Sequence, residues 1–359
     1  MNKNNYAIVM AGGVGSRFWP FSRTSHPKQF QDILGTGQSI LQQTIDRFEN
    51  ICPQENIYIV THEQYKDLVK EHLPFLEDNQ ILLEPVRRNT APCIAYASYK
   101  IAAKNPDANL VVSPADHIIQ DKRTFENTIL EVLEHTKTND ILVTLGIHPT
   151  RPDTGYGYIQ ETKNESIGSL RKVKMFTEKP PLEVAQTFLD SGEFVWNSGI
   201  FIWNANAIIE EFNQHLYDIH YAFKDLESVY YTEKEKEALK IAYYQCKNVS
   251  IDYGIMEKSA KVYVMRSNFD WSDLGTWKSL HDLAEKDESQ NVLQGNIMHY
   301  DTKGSIIKTP EERLVVVQGL ENFIVAEYDN VLVICKKDHE QQIKQFVKDA
   351  KERAGDKYI

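Results

Sequence analysis

Runs that suit buried strands alternate with runs that suit helices along the first 145 residues, and this rhythm limits the fold more than any other feature of the chain. Tyr6-Ala7-Ile8-Val9 is short, apolar and β-branched. Ser39 can then cap a helix carrying Ile40, Leu41, Thr44, Ile45 and Phe48 at helical spacing, and Ile57-Tyr58-Ile59-Val60 reads as the next strand. A helix around residues 63–73, a strand at Ile81-Leu82-Leu83, a helix from Thr90 and a strand at Leu110-Val111-Val112 follow. A helix near 122–137 and the strand Ile141 to Leu145 complete the series. Repeated βαβ units predict an α/β fold with a mostly parallel sheet covered on both faces. Ligands of such sheets sit beyond the carboxyl ends of the strands, so the segments after each strand carry the chemistry.

The first of these segments, Met10 to Phe30, has the sequence MAGGVGSRFWPFSRTSHPKQF. Gly12, Gly13 and Gly15 let the backbone bend sharply and bring N–H groups close to a ligand. The first acidic residue of the chain is Asp32, so Lys3, Arg17, Arg23 and Lys28 stand locally unopposed in a chain of net charge -11. An acidic protein repels phosphate, and a basic glycine loop is the part able to hold a polyphosphate. A Rossmann fingerprint counted from Gly13 would need glycine where Phe18 stands, and a Walker loop would need Gly-Lys-Ser/Thr, which is absent.

Gly-Ser-Arg-Phe-Trp-Pro followed by Ser-Arg and Pro-Lys-Gln-Phe resembles the signature of the sugar-1-phosphate nucleotidyltransferases, in the form carried by the mannose-1-phosphate guanylyltransferase (GDP-mannose pyrophosphorylase) family. The resemblance covers about residues 5–280. It implies a Rossmann-like sheet of the nucleotide-diphospho-sugar transferase type and transfer of GMP from GTP to α-D-mannose 1-phosphate with Mg²⁺. It also implies that Ala11, Gly12, Gly13, Gly15 and Ser16 bind the nucleotide, that Arg17 holds the departing pyrophosphate and that Lys28 neutralises the α-phosphate.

Later segments extend the same reading. Glu84-Pro85-Val86-Arg87-Arg88-Asn89-Thr90-Ala91-Pro92 follows the third strand. Thr90 as N-cap with Pro92 in the first turn explains half of it structurally. Guanine offers N1–H and N2–H donors that a carboxylate such as Glu84 could accept, and the family likeness carries Glu84, Arg88 and Asn89 into the nucleotide pocket. Asp116 follows the fourth strand, where a carboxylate suits a hard divalent cation and also suits a simple turn; beside it, His117 offers a hydrogen-bonding group. The resemblance makes Asp116 one metal ligand and Asp273, two residues before Gly275-Thr276, the other, with Asp270 as the competing position.

From residue 150 the composition turns to glycine and aromatic residues, which suits sugar recognition and equally a β-hairpin. Gly157, Glu178, Lys179, Asn197 and Asp252 are the expected sugar-phosphate residues, with Lys179 on the incoming phosphate. Asn197 offers a donor and an acceptor that one hydroxyl could use together. Beyond Asn291 short strands separated by polar turns predict a small β-domain, with a short left-handed β-helix as one form, and a terminal helix. The expected domains are 1–288, catalytic, and 289–359, β-domain. The chain stops too soon for the cupin isomerase domain of some bacterial relatives, so no phosphomannose isomerase activity is expected.

Cys52, Cys93, Cys246 and Cys335 lie far apart without a Cys-x-x-Cys pair, as reduced thiols do, and suggest neither a disulfide frame nor a zinc site. No window nears the roughly 18 apolar residues of a membrane span, and the N-terminus lacks a signal-peptide core. Nucleic-acid binding is disfavoured for want of a basic stripe beyond the loop. The partners expected are GTP and mannose 1-phosphate, in the cytoplasm, with a homo-oligomer, a dimer first, as the assembly. The same machinery could serve another sugar 1-phosphate or base, or a non-catalytic GDP-mannose-binding homologue; the latter would be expected to have lost loop cations or metal carboxylates, and both sets are present.

Overall fold

The structure, a computed structural model, describes residues 1–359. Two compact units share the chain: one comprises Met1–Gly12, Ile45–Ala115 and Ile119–Trp271, the other Gly13–Thr44, Asp116–Ile118 and Ser272–Ile359. A single cut after residue 288 separates the terminal strands, but the second unit also takes in the glycine loop from Gly13 onward and the Asp116–Ile118 segment.

In the first unit, β1 (Asn5–Met10), β2 (Ile57–His62), β3 (Ile81–Glu84) and β4 (Asn109–Pro114) pair in parallel in the order β3-β2-β1-β4. Their near-continuous apolar runs are buried on both faces, as crossover helices require. The two-residue strands β5 (Ile118–Ile119) and β11 (Trp271–Ser272) fall where the chain passes between units. The sheet continues through β6 (Leu142–Ile147), β7 (Tyr158–Ile167), β8 (Leu170–Thr177), β9 (Phe194–Asn204) and β10 (Val262–Ser267) to nine strands, ending β4-β9-β6-β10-β8-β7. Here β6 and β10 are parallel, whereas β9 runs antiparallel to β4, β6 and β7. The parallel half follows the βαβ rhythm; beyond it only β9 and β8 run against the other strands, β8 because it returns from β7 in a hairpin.

Helices α2 (Lys66–His72), α3 (Thr90–Lys104), α4 (Lys122–Thr136), α5 (Leu182–Ser191), α6 (Ala205–His215), α7 (Tyr217–Lys224) and α8 (Glu235–Gln245) accompany this sheet. The main core joins Ile94, Tyr96, Trp203, Phe212, Phe223 and Tyr243, all buried. The N-cap of α3 is Asn89, not Thr90: the Asn89 side chain accepts the Thr90 N–H at 2.9 Å, and the Thr90 hydroxyl accepts the Ile251 N–H at 2.9 Å. No helix is long and apolar enough to cross a membrane. The four cysteines are free thiols.

The second unit contains the start of α1 (Ile40–Asp46), where Ser39 and Gln42 form the reciprocal cap expected of Ser-x-x-Gln. It also holds α9 (Trp277–Leu283), the terminal strands and α10 (Ile343–Ala354). Successive strands β12 (Val292–Gln294), β13 (Ile297–Tyr300), β14 (Ile306–Lys308), β15 (Val315–Gln318) and β16 (Phe323–Tyr328) alternate between two parallel sheets, the coil of a short β-helix, and β17 (Val331–Lys336) closes one sheet antiparallel.

That small domain grips the signature segment. Arg23, expected to be an unopposed loop cation, is 6% exposed and donates to the Tyr328 carbonyl at 2.8 Å, Asp329 at 3.2 Å and the Pro20 carbonyl at 3.2 Å. The Trp19 indole N–H donates to the Tyr358 carbonyl at 2.6 Å, and Lys308 donates to the Ile33 carbonyl at 2.7 Å. Neutrality along the sequence is therefore not neutrality in space, and Arg23 is removed from phosphate binding. Arg23→Met should lower the unfolding free energy by roughly 2–3 kcal/mol, because buried carbonyl acceptors lose a charged donor. Asp329→Asn should cost less than about 1 kcal/mol, since that carboxylate is 64% exposed. Urea unfolding followed by tryptophan fluorescence compares them; equal losses would contradict the clamp.

Candidate active site

In the second unit three distant stretches meet at one ammonium group. Lys28 opens a tight turn (Lys28–Phe30) after Pro27 and is 3% exposed. Its Nζ lies 2.8 Å from Asp116 Oδ2, and donates to the backbone carbonyls of Asp273 at 3.0 Å and Leu274 at 2.9 Å. An ammonium has three N–H donors, and each has an acceptor here. Lys28, expected to neutralise the α-phosphate, has its donors engaged in tying Asp116 to the 273–274 turn. Burial raises the Asp116 carboxyl pKa, but the Lys28 charge and hydrogen bond, helped by His117, outweigh it and hold the group below the usual carboxylate range. The other Asp116 oxygen faces His117 Nε2 at 4.0 Å.

Asp273 rather than Asp270 belongs to this cluster. Asp273 Oδ1 accepts the Gly275 N–H at 3.0 Å; a Cβ on Gly275 would stand 2.4 Å from Asp273 Oδ2, so a larger residue there would push the carboxylate aside. Asp270 is exposed and lies in the first unit.

The glycine loop divides by role. Gly15, at φ 73°, would set a Cβ 2.6 Å from the Lys28 Cβ, so both its conformation and its neighbour demand glycine. Gly13 is open: a Cβ there would meet nothing within 4 Å. Ser16 begins the turn Ser16–Phe18, which carries Arg17; Arg17 Nε donates to Gln341 Oε1 at 3.1 Å, and the indole N–H of Trp277 donates to the Arg17 carbonyl at 2.9 Å. Arg17 leaves its other guanidinium donors to further partners, and its charge lowers the pKa of Lys344 on α10. Lys344 is a cation beside the loop that the sequence pattern, read for the apolar face of α10, did not bring forward.

In the first unit, the backbone of Ala11, one of the residues expected to bind the nucleotide, is engaged by β2. Its N–H donates to the Val60 carbonyl and its carbonyl accepts the Thr61 hydroxyl, both at 2.8 Å, which anchors the loop to β2. A Cβ on Gly12 would lie 3.6 Å from Glu84 Oε2, so the buried Glu84 carboxyl sits against the loop. Burial pushes Glu84 up to about 7 although the Tyr243 hydroxyl and Arg87 pull it down. Arg88 Nε donates to the Tyr243 carbonyl at 3.4 Å, and Asn89 holds φ 69° as the α3 cap. Tyr243 lies in a helix with the pattern of a covering element, and no local signal marks it.

The five expected sugar-phosphate residues converge. A Cβ on Gly157 would come 2.4 Å from Glu178 Oε2 and 3.2 Å from the Asn197 Cβ, so Gly157 makes room for both. Glu178 Oε1 accepts from Lys179 Nζ at 2.7 Å, whereas Glu178 Oε2 is buried without a hydrogen-bond partner. Asn197 Nδ2 donates to Asp252 Oδ1 at 2.9 Å, and Asn197 Oδ1 accepts the Thr144 hydroxyl at 2.8 Å and the Gly199 N–H at 3.2 Å. Both ends of the amide make internal bonds, which fixes the orientation of the side chain. Thr144 fixes the amide orientation and Asn197 in turn positions Asp252, while Tyr253 and Glu257 hold the Glu178 backbone. Burial and the Glu178 charge push Asp252 up to about 7, against the pull of Lys179 and Asn197.

An aspartate that binds its proton more tightly when folded stabilises the protein most below its unfolded pKa of about 3.9, and that contribution drains away as pH rises. Asp252→Asn should therefore gain stability relative to the wild type between pH 4 and pH 7. Thermal melts across that range check the sign; a flat difference would place the Asp252 proton elsewhere.

Residues 6–290 match the nucleotidyl transferase family, and residues 295–349 match the MannoseP isomerase/GMP-like beta-helix domain. The mannose-1-phosphate guanylyltransferase of Salmonella montevideo is 38% identical over 96% of this chain and 73% of its own length. The corresponding protein of Escherichia coli is 34% identical over 95% of this chain and 74% of its own. A crystal structure described as mannose-1-phosphate geranyltransferase from Thermus thermophilus superposes with a TM-score of 0.86 at 31% identity, covering 97% of this chain and 99% of that one. One of mannose-6-phosphate isomerase from Helicobacter pylori reaches a TM-score of 0.60 at 27% identity, covering 75% of this chain and 99% of that one. By its two family matches and by relatives that align along nearly its whole length, the chain belongs to the mannose-1-phosphate guanylyltransferase family of nucleotidyltransferases.

Proposed function

We propose that this enzyme transfers GMP from GTP to α-D-mannose 1-phosphate in the cytoplasm, giving GDP-mannose and pyrophosphate. The observation that carries the reading is the meeting of Lys28, Asp116 and Asp273 at one ammonium, because three separate stretches of a nucleotidyltransferase are drawn to one point.

A sugar-phosphate oxygen attacks the α-phosphorus in line, forming one P–O bond as the bond to the bridging oxygen of pyrophosphate breaks. The nucleophile is already an anion near neutral pH, so the protein's work is to hold two mutually repelling anions and balance the charge that develops. Arg17 steadies the leaving pyrophosphate, supported by the backbone of Gly12 to Ser16, where the open flank of Gly13 favours close approach. Glu84, Arg88 and Asn89 face the base and ribose. Gly157, Glu178 and Asp252 take the sugar hydroxyls, the partnerless Glu178 Oε2 being the natural acceptor, and Lys179 meets the sugar phosphate. Lys28 and Asn197 act by positioning Asp116 and Asp252.

The family uses a divalent ion, and the carboxylates of Asp116 and Asp273 offer the hard oxygen donors that Mg²⁺ takes beside substrate phosphates. Asp116 and Asp273 would hold it, and when bound it supplies Lewis-acid stabilisation of phosphate charge.

Pyrophosphate release measured with GTP, ATP, UTP and dTTP against a panel of sugar 1-phosphates tests the assignment, GTP with mannose 1-phosphate being the expected best pair. Asp116→Ala and Arg17→Ala should lower kcat/KM by roughly 10²–10³-fold. Wild-type turnover in either variant would remove that residue from the proposed roles.

A further inference from the structure

Glu84 and Arg88 come from the same short segment after β3, yet what fixes both is one residue about 150 positions later. Tyr243 is fully buried on α8, with its ring against Phe223 and Tyr96 at centroid distances of 5.5 Å and 6.3 Å. Its hydroxyl donates to Glu84 Oε1 at 3.1 Å and lies 3.4 Å from the Pro92 carbonyl. Its own backbone carbonyl, in the last turn of α8, accepts the Cys246 N–H at 3.3 Å and also Arg88 Nε at 3.4 Å. The chain just beyond α8 adds two ties to the start of α3: Ala91 N–H donates to the Val249 carbonyl at 3.1 Å, and Ile251 N–H to the Thr90 hydroxyl at 2.9 Å. With Oε1 held by Tyr243, the other Glu84 oxygen, Oε2, is the one turned to the glycine loop, 3.6 Å from the Cβ position of Gly12.

We propose that Tyr243 is a positioning residue for nucleotide recognition, holding the Glu84 carboxylate and the Arg88 side chain in the arrangement that receives the purine nucleotide. This rests on the reading of the segment as the nucleotide pocket. Its packing alone would make Tyr243 a core residue; the two polar ends, each on a different nucleotide residue, make it more than that. The groups facing Glu84 are few: the Tyr243 hydroxyl from α8, the Arg87 guanidinium from its own loop and the Cys93 thiol from α3. Of these, Tyr243 donates a hydrogen bond that stabilises the ionised carboxylate, so its loss should raise the pH at which Glu84 gives up its proton.

The test is Tyr243→Phe, which keeps the ring in the core and removes only the hydroxyl, with thermal melting to confirm the fold. The expected result is a rise of roughly tenfold in KM for GTP, the size of one lost hydrogen bond to a charged group, with KM for the sugar phosphate unchanged. The weakening of GTP binding as pH falls should move to higher pH in the variant and disappear in Glu84→Gln. A KM for GTP equal to the wild type, or parallel rises for both substrates with an unshifted pH profile, would overturn the proposal. Failure of the underlying reading has a separate signature: the wild type would then prefer a different nucleoside triphosphate, and the same Tyr243→Phe comparison, made with that nucleotide, would still give one or the other result.

Discussion

Much of the second unit follows from placing one ammonium group out of water. A buried lysine is costly unless its charge and all three donors are met, and Lys28 meets that condition only when Asp116 and the 273–274 turn arrive together. The requirement links parts of the chain that no local pattern connects. It accounts for the tightness of the loop, since Gly15 must leave space for the Lys28 side chain, and for the strict turn at Gly275, where the Asp273 carboxylate folds back on the backbone. A loop cation built this way is a fixed part of the scaffold, whereas the Arg17 side chain is bonded to Gln341 through only one of its five donors.

The β-helix domain gains a role from the same reasoning. Its strands give Arg23 backbone carbonyls to bond, its Lys308 caps the end of the loop segment at Ile33, and the following helix region supplies the Gln341 contact to Arg17. A loop with three glycines in four positions is entropically expensive to hold in one shape. Contacts from residues 294 onward offset that cost, which makes the terminal domain a brace for the loop as well as a surface. The outer row of its strands carries Met298, Tyr300 and Val316 exposed to solvent, so the side that braces and the side that faces outward are chemically distinct.

What the sequence made legible was whatever depends on neighbours in the chain. The βαβ rhythm, the glycine loop, the Ser39 cap and the aspartates after a strand or before Gly-Thr are short-range patterns, and the structure carries each of them. The alternation of short strands beyond Asn291 likewise resolves into a two-sheet coil. What escaped was the identity of partners. Arg23 looked free because Asp329 is 306 residues away; Asn197 looked available because nothing nearby announces Thr144 or Asp252. The antiparallel strands after residue 150 differ from the parallel ones by a hairpin connection, and a hairpin's composition is also that of a sugar-binding loop.

The two residues that hold the candidate sites, Asn197 and Tyr243, illustrate why such partners matter to function. Each is buried, and each bonds through both of its polar ends. A carboxylate that must meet a hydroxyl or a purine edge at hydrogen-bond distance cannot also choose its own rotamer. Asp252 and Glu84 are fixed by neighbours whose geometry is set by the core, through Thr144 on β6 in one case and through the aromatic packing of α8 in the other. Burial pushes the pKa of both carboxyls up, so the depth that orients them also makes them hold their protons more tightly. Substrate hydrogen bonds to the ionised form would then draw the proton off, and binding would itself complete the charge distribution the reaction needs.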